Sequence, residues 1–184
     1  MRVPLFRITN YRLLVHYLIA LALLPGLLSL KQKEDTADKY KGKTKSTTLP
    51  NPLKAEVIGI QDGDTIEMKF IFDGKKAGIR QGKAVRIRFL HVNSPERGKP
   101  FYKVAKQYTS EKCFRKVVQI RHNGEFDRYG RLLGDVILPN GSVLNKELVK
   151  KGLAIHYKKY SKSVEYANLE KIAQQKKIGI WSIE

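Results

Sequence analysis

The feature that most constrains this 184-residue chain is a change of hydrophobic period partway along it. From Lys54 to Ile60, from Thr65 to Phe72 and from Lys83 to Val92, apolar and polar residues alternate. A period of two marks strands with one buried and one wet face. In the third run Val85, Ile87 and Phe89 point one way, and Arg86, Arg88 and Leu90 the other. From Pro100 to Phe114 the spacing of Phe101, Val104, Ala105, Tyr108 and Cys113 becomes helical, after a proline that suits a helix start. Val117–Arg121 and Arg131–Leu138 return to a strand pattern, and Pro139-Asn140-Gly141 turns the chain out. Leu144–Lys151 and Ser163–Lys177 read as helices stopped by Gly152 and Gly179. The longer one offers Val164, Ala167, Leu169, Ile172 and Ala173 as its buried side. Five or so strands with helices in a segment of this length predict a small, mainly β (α+β) barrel with helices packed on it.

The residues ahead of that domain have a different character. Arg2, Arg7 and Arg12 form a cationic leader, and Leu13 to Leu30 is apolar apart from His16 and Ser29. As a helix this run would be roughly 27 Å long, enough to cross a bilayer core. Pro25-Gly26 interrupts it near the far end, as before a signal cleavage site, yet no small-x-small pair follows. Residues 1–30 are therefore expected to be a cleaved export signal or a retained anchor. Either places the domain outside the cytoplasm, and the second would hold it to a membrane through residues 13–30. Residues 31–52, Lys/Thr-rich and ending in two prolines, are expected to be a polar linker, with the domain spanning 53–182.

The single cysteine, Cys113, excludes an intramolecular disulfide framework and a multi-cysteine zinc site. The chain carries 36 Lys or Arg against 17 Asp or Glu, a net charge of +19. Nine of those bases and three of the acids lie in residues 1–48, so the rest holds 27 against 14 and is itself cationic at +13. Such a surface asks for a polyanion: nucleic acid, an acidic membrane or an acidic polysaccharide.

Three segments concentrate side chains able to do chemistry on a phosphate. In Gln61-Asp62-Gly63-Asp64-Thr65, carboxylates at i and i+2 of an extended chain project to one side, and hard cations such as calcium take oxygen ligands. Asp-Gly is equally the chemistry of a hairpin turn. In Arg88-Phe89-Leu90-His91-Val92-Asn93-Ser94-Pro95-Glu96, Arg88 offers a planar fork for a phosphate and Glu96 a general base, although a salt-bridged strand end has the same composition. His91 precedes Asn93 by two and is expected on the same side, as an ordinary strand histidine. In Asp127-Arg128-Tyr129-Gly130-Arg131, Arg131 is able to meet charge on a phosphoryl oxygen, and Tyr129 to bond a phosphate or stack on a base. A tight turn with a solvated arginine would read the same way.

Taken together and in order, these segments resemble the staphylococcal nuclease (thermonuclease) family. The likeness continues through Pro100-Phe101 with Ala105-Lys106, through Leu148-Val149-x-x-Gly152-Leu153-Ala154, and through Gly179-x-Trp181. It implies an OB-fold five-stranded barrel with three helices and calcium-dependent hydrolysis of DNA and RNA, leaving 3′-phosphate ends. It further implies that Asp64 and the Ser94 carbonyl are calcium ligands with Asp62 in support. Glu96 would orient or deprotonate the attacking water, Arg88 and Arg131 would bind the scissile phosphate, and Tyr129 and Tyr157 would lie around the nucleotide.

The chain departs from the family pattern at Asn93, where an aspartate ligand is usual; an amide oxygen still coordinates calcium but supplies no charge. The loop after Glu96, Arg97-Gly98-Lys99, is short. The expected function is thus an exported, monomeric nuclease acting on DNA and/or RNA, the alternative being a nucleic-acid-binding OB module with weak or no hydrolysis.

Overall fold

The computed structural model describes residues 49–71 and 84–183. The expected signal or anchor, the linker as far as residue 48, and the ends of two expected strands at Phe72 and Lys83 lie outside the described residues. β1 (Leu53–Asp62) and β2 (Thr65–Phe70) form a hairpin, and β2 pairs antiparallel with β3 (Ala84–Phe89). β4 (Val92–Asn93) is a separate short strand, followed by α1 (Tyr102–Cys113). β5 (Val117–Phe126) and β6 (Leu132–Ile137) come next, then α2 (Leu144–Lys150), β7 (Ile155–His156) and α3 (Val164–Gln175). The barrel closes in the order β1-β2-β3-β6-β5, antiparallel except for the parallel β3–β6 pair. A five-stranded barrel with three helices is the OB-type architecture that the motifs implied.

The interior is built from alternate residues of these strands: Leu53, Val57, Ile66, Met68, Ile87, Phe89, Ile120, Leu132 and Val136 are fully or almost fully buried. Ahead of β1, Leu49 packs on this core, and the Asn51 amide donates to the His122 carbonyl while its oxygen accepts from the His122 N–H.

Three local expectations need correction. The run Lys83–Val92 is not one strand, because His91 takes φ 69° and the chain breaks between β3 and β4. β4 then pairs with β7, Asn93 opposite Ile155 and Val92 opposite His156. β5 continues past Arg121 through a bulge, where Gly124 at φ 74° donates its N–H to His122 Nδ1. In α3, Val164 is 73% exposed and Ile172 is also exposed, whereas Tyr166, Glu170 and Ala173 form the buried side. Glu170 belongs inside because it has partners there: the His156 N–H at 2.9 Å and Lys158 Nζ at 2.7 Å.

Candidate active site

The β1–β2 connection is a turn, not extended chain, so Asp62 and Asp64 are held differently. Asp62 ends β1 opposite Thr65 and accepts from the Tyr102 hydroxyl at 3.3 Å. Asp64 turns inward and is 5% exposed. Gly63 permits this close approach: a Cβ there would lie 2.8 Å from Ala105 Cβ and 2.9 Å from Ser94 Cβ. Thr109 of α1 fastens the turn by donating to the Gly63 carbonyl at 2.6 Å.

Asp64 is the centre of the constellation. Its Oδ2 accepts from the Ser94 N–H at 2.6 Å, and its Oδ1 from the Thr65 hydroxyl at 3.1 Å. Arg88 arrives from β3, opposite Thr65, with Nη2 lying 3.2 Å from Asp64 Oδ2. The same Nη2 donates to Asn93 Oδ1 at 2.8 Å, and Nη1 donates to the Phe89 and Val92 carbonyls, both at 2.8 Å. The chain break at His91 is what curls these carbonyls and Asn93 back around the guanidinium.

Arg131 approaches from the other side. Asp127 organises its turn: Oδ1 accepts from the Tyr129 and Arg131 N–H groups at 2.9 Å each, and Oδ2 takes Arg131 Nε and Nη2 at 2.7 Å each. Arg131 Nη1 donates to Thr65 Oγ1 at 3.4 Å, which links both arginines to Asp64 through one chain of polar contacts. Such a paired fork is fixed in direction, and a fixed cation is what stabilises developing charge.

Aromatic rings rim this cluster. Tyr129, 53% exposed, lies with its ring 5.3 Å from Arg131 Cζ, and the Tyr157 ring lies 5.9 Å from Arg88 Cζ. Tyr160, absent from the sequence expectations, is exposed and meets Tyr157 edge-on at 4.9 Å. Glu96 is exposed, and among the described residues no hydrogen bond or ion pair engages its carboxylate; its carbonyl accepts from the Lys99 N–H in a turn. Asp64, Arg88, Asn93, Ser94 and Arg131 are thus brought together, Tyr129 and Tyr157 sit beside them, and Asp62 and Glu96 stand at the edge.

Two residues that sequence reasoning passed over shape the site. Asp127 was legible only as part of a turn, although a carboxylate four residues before Arg131 is the signal for its pairing. Thr65 begins β2 as its pattern predicts, and its hydroxyl also bridges Asp64 to Arg131. The expectation that His91 shares the side of Asn93 is corrected by its positive φ. Its Nδ1 lies 2.8 Å from Ser161 Oγ and its ring 4.8 Å from Tyr166, on the α3 side of the chain. Cys113 is no nucleophile: it is buried, and burial pushes its thiol up to about 12.

Comparison with known proteins agrees with this geometry. Residues 86–183 match the family described as staphylococcal nuclease homologue. An uncharacterized endonuclease of Escherichia coli is 32% identical over 130 residues, covering 71% of this chain and 78% of its own length. A micrococcal nuclease of Shigella flexneri is 32% identical over 140 residues, covering 71% and 74%. A staphylococcal-like nuclease of Arabidopsis thaliana is 38% identical over 104 residues, although the match spans only 30% of that longer protein. With its barrel, its acid–arginine constellation and these matches in agreement, the chain belongs to the staphylococcal nuclease family.

Proposed function

We propose that this protein is an exported, calcium-dependent nuclease that hydrolyses phosphodiesters of DNA and/or RNA and leaves 3′-phosphate ends. The single observation that carries the proposal is the linked cluster Arg88–Asp64–Thr65–Arg131, in which one guanidinium pairs with a buried carboxylate and a second is tied to it through the Thr65 hydroxyl. A merely structural ion pair needs one arginine, whereas a phosphodiester gaining charge needs several fixed cations around it. Nuclease activity itself rests on family membership and on relatives named as nucleases.

The donor set fits a hard cation. Asp64, Asn93 Oδ1, the Ser94 carbonyl and Asp62 offer oxygen alone, with neither thiolate nor imidazole among them. Asp64, Asn93 and the Ser94 carbonyl would hold calcium with Asp62 in support, and the ion when bound would supply a Lewis acid toward a phosphate oxygen. In this proposal Glu96, exposed and without a competing partner among the described residues, takes a proton from the water that attacks phosphorus. The P–O5′ bond breaks, the 5′ oxygen leaves with the electron pair and is protonated from solvent, and the phosphate stays on the 3′ oxygen. Arg131, locked by Asp127, faces the added charge, and Tyr129 and Tyr157 flank the nucleotide. The +13 of the residues after 48 gathers the polyanion. Export rests on the leader and apolar run of residues 1–30, and mass spectrometry of the mature N-terminus distinguishes a cleaved signal from an anchor.

The test is a DNA-impregnated gel comparing the native chain with Glu96→Gln. The native protein clears DNA with added calcium, while Glu96→Gln does not clear it but still binds DNA with affinity falling steeply in salt. Clearing by Glu96→Gln within fivefold of the native rate would overturn the assignment of the base.

A further inference from the structure

Arg88 has almost no donor to spare. Both Nη1 hydrogens go to backbone carbonyls, Phe89 and Val92, while Nη2 donates to Asn93 Oδ1 at 2.8 Å and sits 3.2 Å from Asp64 Oδ2. Among the described residues only Nε–H has no acceptor of its own, and the side chain is 11% exposed. A phosphate clamp needs two parallel free donors, and Arg88 does not offer them here. The oxygens that Nη2 bridges are two of those suited to hold a cation, so guanidinium and metal compete for one space. We infer that Arg88 Nη2 is a resident cation of the ligand pocket, displaced from Asp64 and Asn93 by metal binding and thereby released as a donor to the substrate phosphate.

This inference rests on the proposed metal-dependent reading and deepens it. It gives the Nη1 bonds a purpose: they anchor the guanidinium to the 89–92 turn while Nη2 swings, so the arginine stays at the site when its other partners are taken. It also gives Asn93 a role that an aspartate would fill less well. A neutral amide holds a guanidinium more weakly than a carboxylate does, and lets it go more readily. Arg131 shows the contrast, because its partner Asp127 is none of the cation donors, and nothing a metal takes releases it.

The wild-type protein is tested by NMR of its arginine side-chain nitrogens, the Arg88 signals being assigned by their loss in Arg88→Lys. Calorimetry run in parallel measures calcium binding without substrate. In the calcium-free protein Arg88 is expected to show separate, slowly rotating Nη1 and Nη2 signals, and calcium is expected to shift and broaden Nη2 while the Arg131 signals stay in place. Arg88→Gln, which removes the competitor, should bind calcium about tenfold more tightly than Arg131→Gln, which removes the same charge without freeing a ligand. Calcium binding with Arg88 Nη2 unmoved, or equal affinities for the two variants, overturns the inference alone. A native chain that binds no calcium overturns the metal reading and the inference together. If Arg88→Gln does not fold, the wild-type spectra decide.

Discussion

The two arginine turns of the site are held in opposite ways. Residues 127–131 form a self-sufficient unit: Asp127 satisfies two backbone N–H groups and both donors on one edge of Arg131 before any ligand arrives. Residues 88–94 have no such private carboxylate, and Arg88 is pinned by backbone carbonyls and by the oxygens that a cation would use. The first is a preorganised electrostatic group, the second a group whose freedom depends on what else is bound. Preorganised charge involves no rearrangement as the reaction proceeds, so Arg131 should dominate turnover, and Arg88 should report on the metal.

The sharpest way to break that contrast is Arg131→Lys. Lysine keeps the charge but loses the fork, and turnover at saturating calcium should fall by roughly two to three decades. A fall below fivefold would mean that the phosphate lies elsewhere. Asp127→Asn should follow at about ten- to a hundredfold, felt mainly in kcat because the arginine is still present but misaimed. An effect confined to KM would make Asp127 a substrate-binding group and not a positioning one.

Asn93→Asp comes next. It adds a charge to a proposed donor set whose carboxylates are Asp64 and, in support, Asp62, and should lower the calcium needed for half-maximal hydrolysis by about tenfold. Salt-dependent DNA binding should stay nearly constant. Coincident calcium titrations would remove Asn93 from the ligand set.

The smallest effects lie behind the site. Ser161 Oγ stands 2.8 Å from His91 Nδ1 and 2.9 Å from His156 Nε2, tying the start of β4 to β7, and His156 Nδ1 has no partner among the described residues. Ser161→Ala should lower stability by about 1–3 kcal/mol, read as a lower urea midpoint. Burial holds the His156 pKa below its ordinary 6.5, with Glu170 opposing the shift. The folded state therefore takes up this proton less readily than the unfolded state. That contribution to stability is present above pH 6.5 and is lost as pH falls below it, with a slope of at most about 1.4 kcal/mol per pH unit. A urea midpoint that does not change between pH 7 and pH 5.5 would show that His156 is solvated in the native state.

The same contrast explains what the sequence disclosed. Alternation located β1 and β2 to within a residue or two, and the start of β3 but not its end, because one face of each strand is buried in the barrel. The order of acids and arginines pointed to the candidate cluster because each sits at a strand end or a tight turn, where local pattern and position coincide. What stayed hidden depends on partners far along the chain. Histidine tolerates a positive φ more often than most residues but does not require one, so the bend at His91 that wraps Asn93 around Arg88 could not be read locally. Glu170 lies inside α3 because the His156 N–H and Lys158 await it, while Val164 and Ile172, better suited by hydropathy, face solvent. Periodicity counts apolar residues and is blind to a carboxylate buried with its partners.

The central claim, cation-dependent phosphodiester hydrolysis at the Asp64–Arg131 cluster, is tested most directly by following a 5′-labelled oligonucleotide with the purified native protein. With calcium, fragments ending in 3′-phosphate should accumulate, with excess chelator cleavage should cease, and restoring calcium should restore it, magnesium doing so poorly because it demands tighter geometry. Cleavage that continues at an undiminished rate in excess chelator, or fragments that end in 3′-hydroxyl, would contradict it.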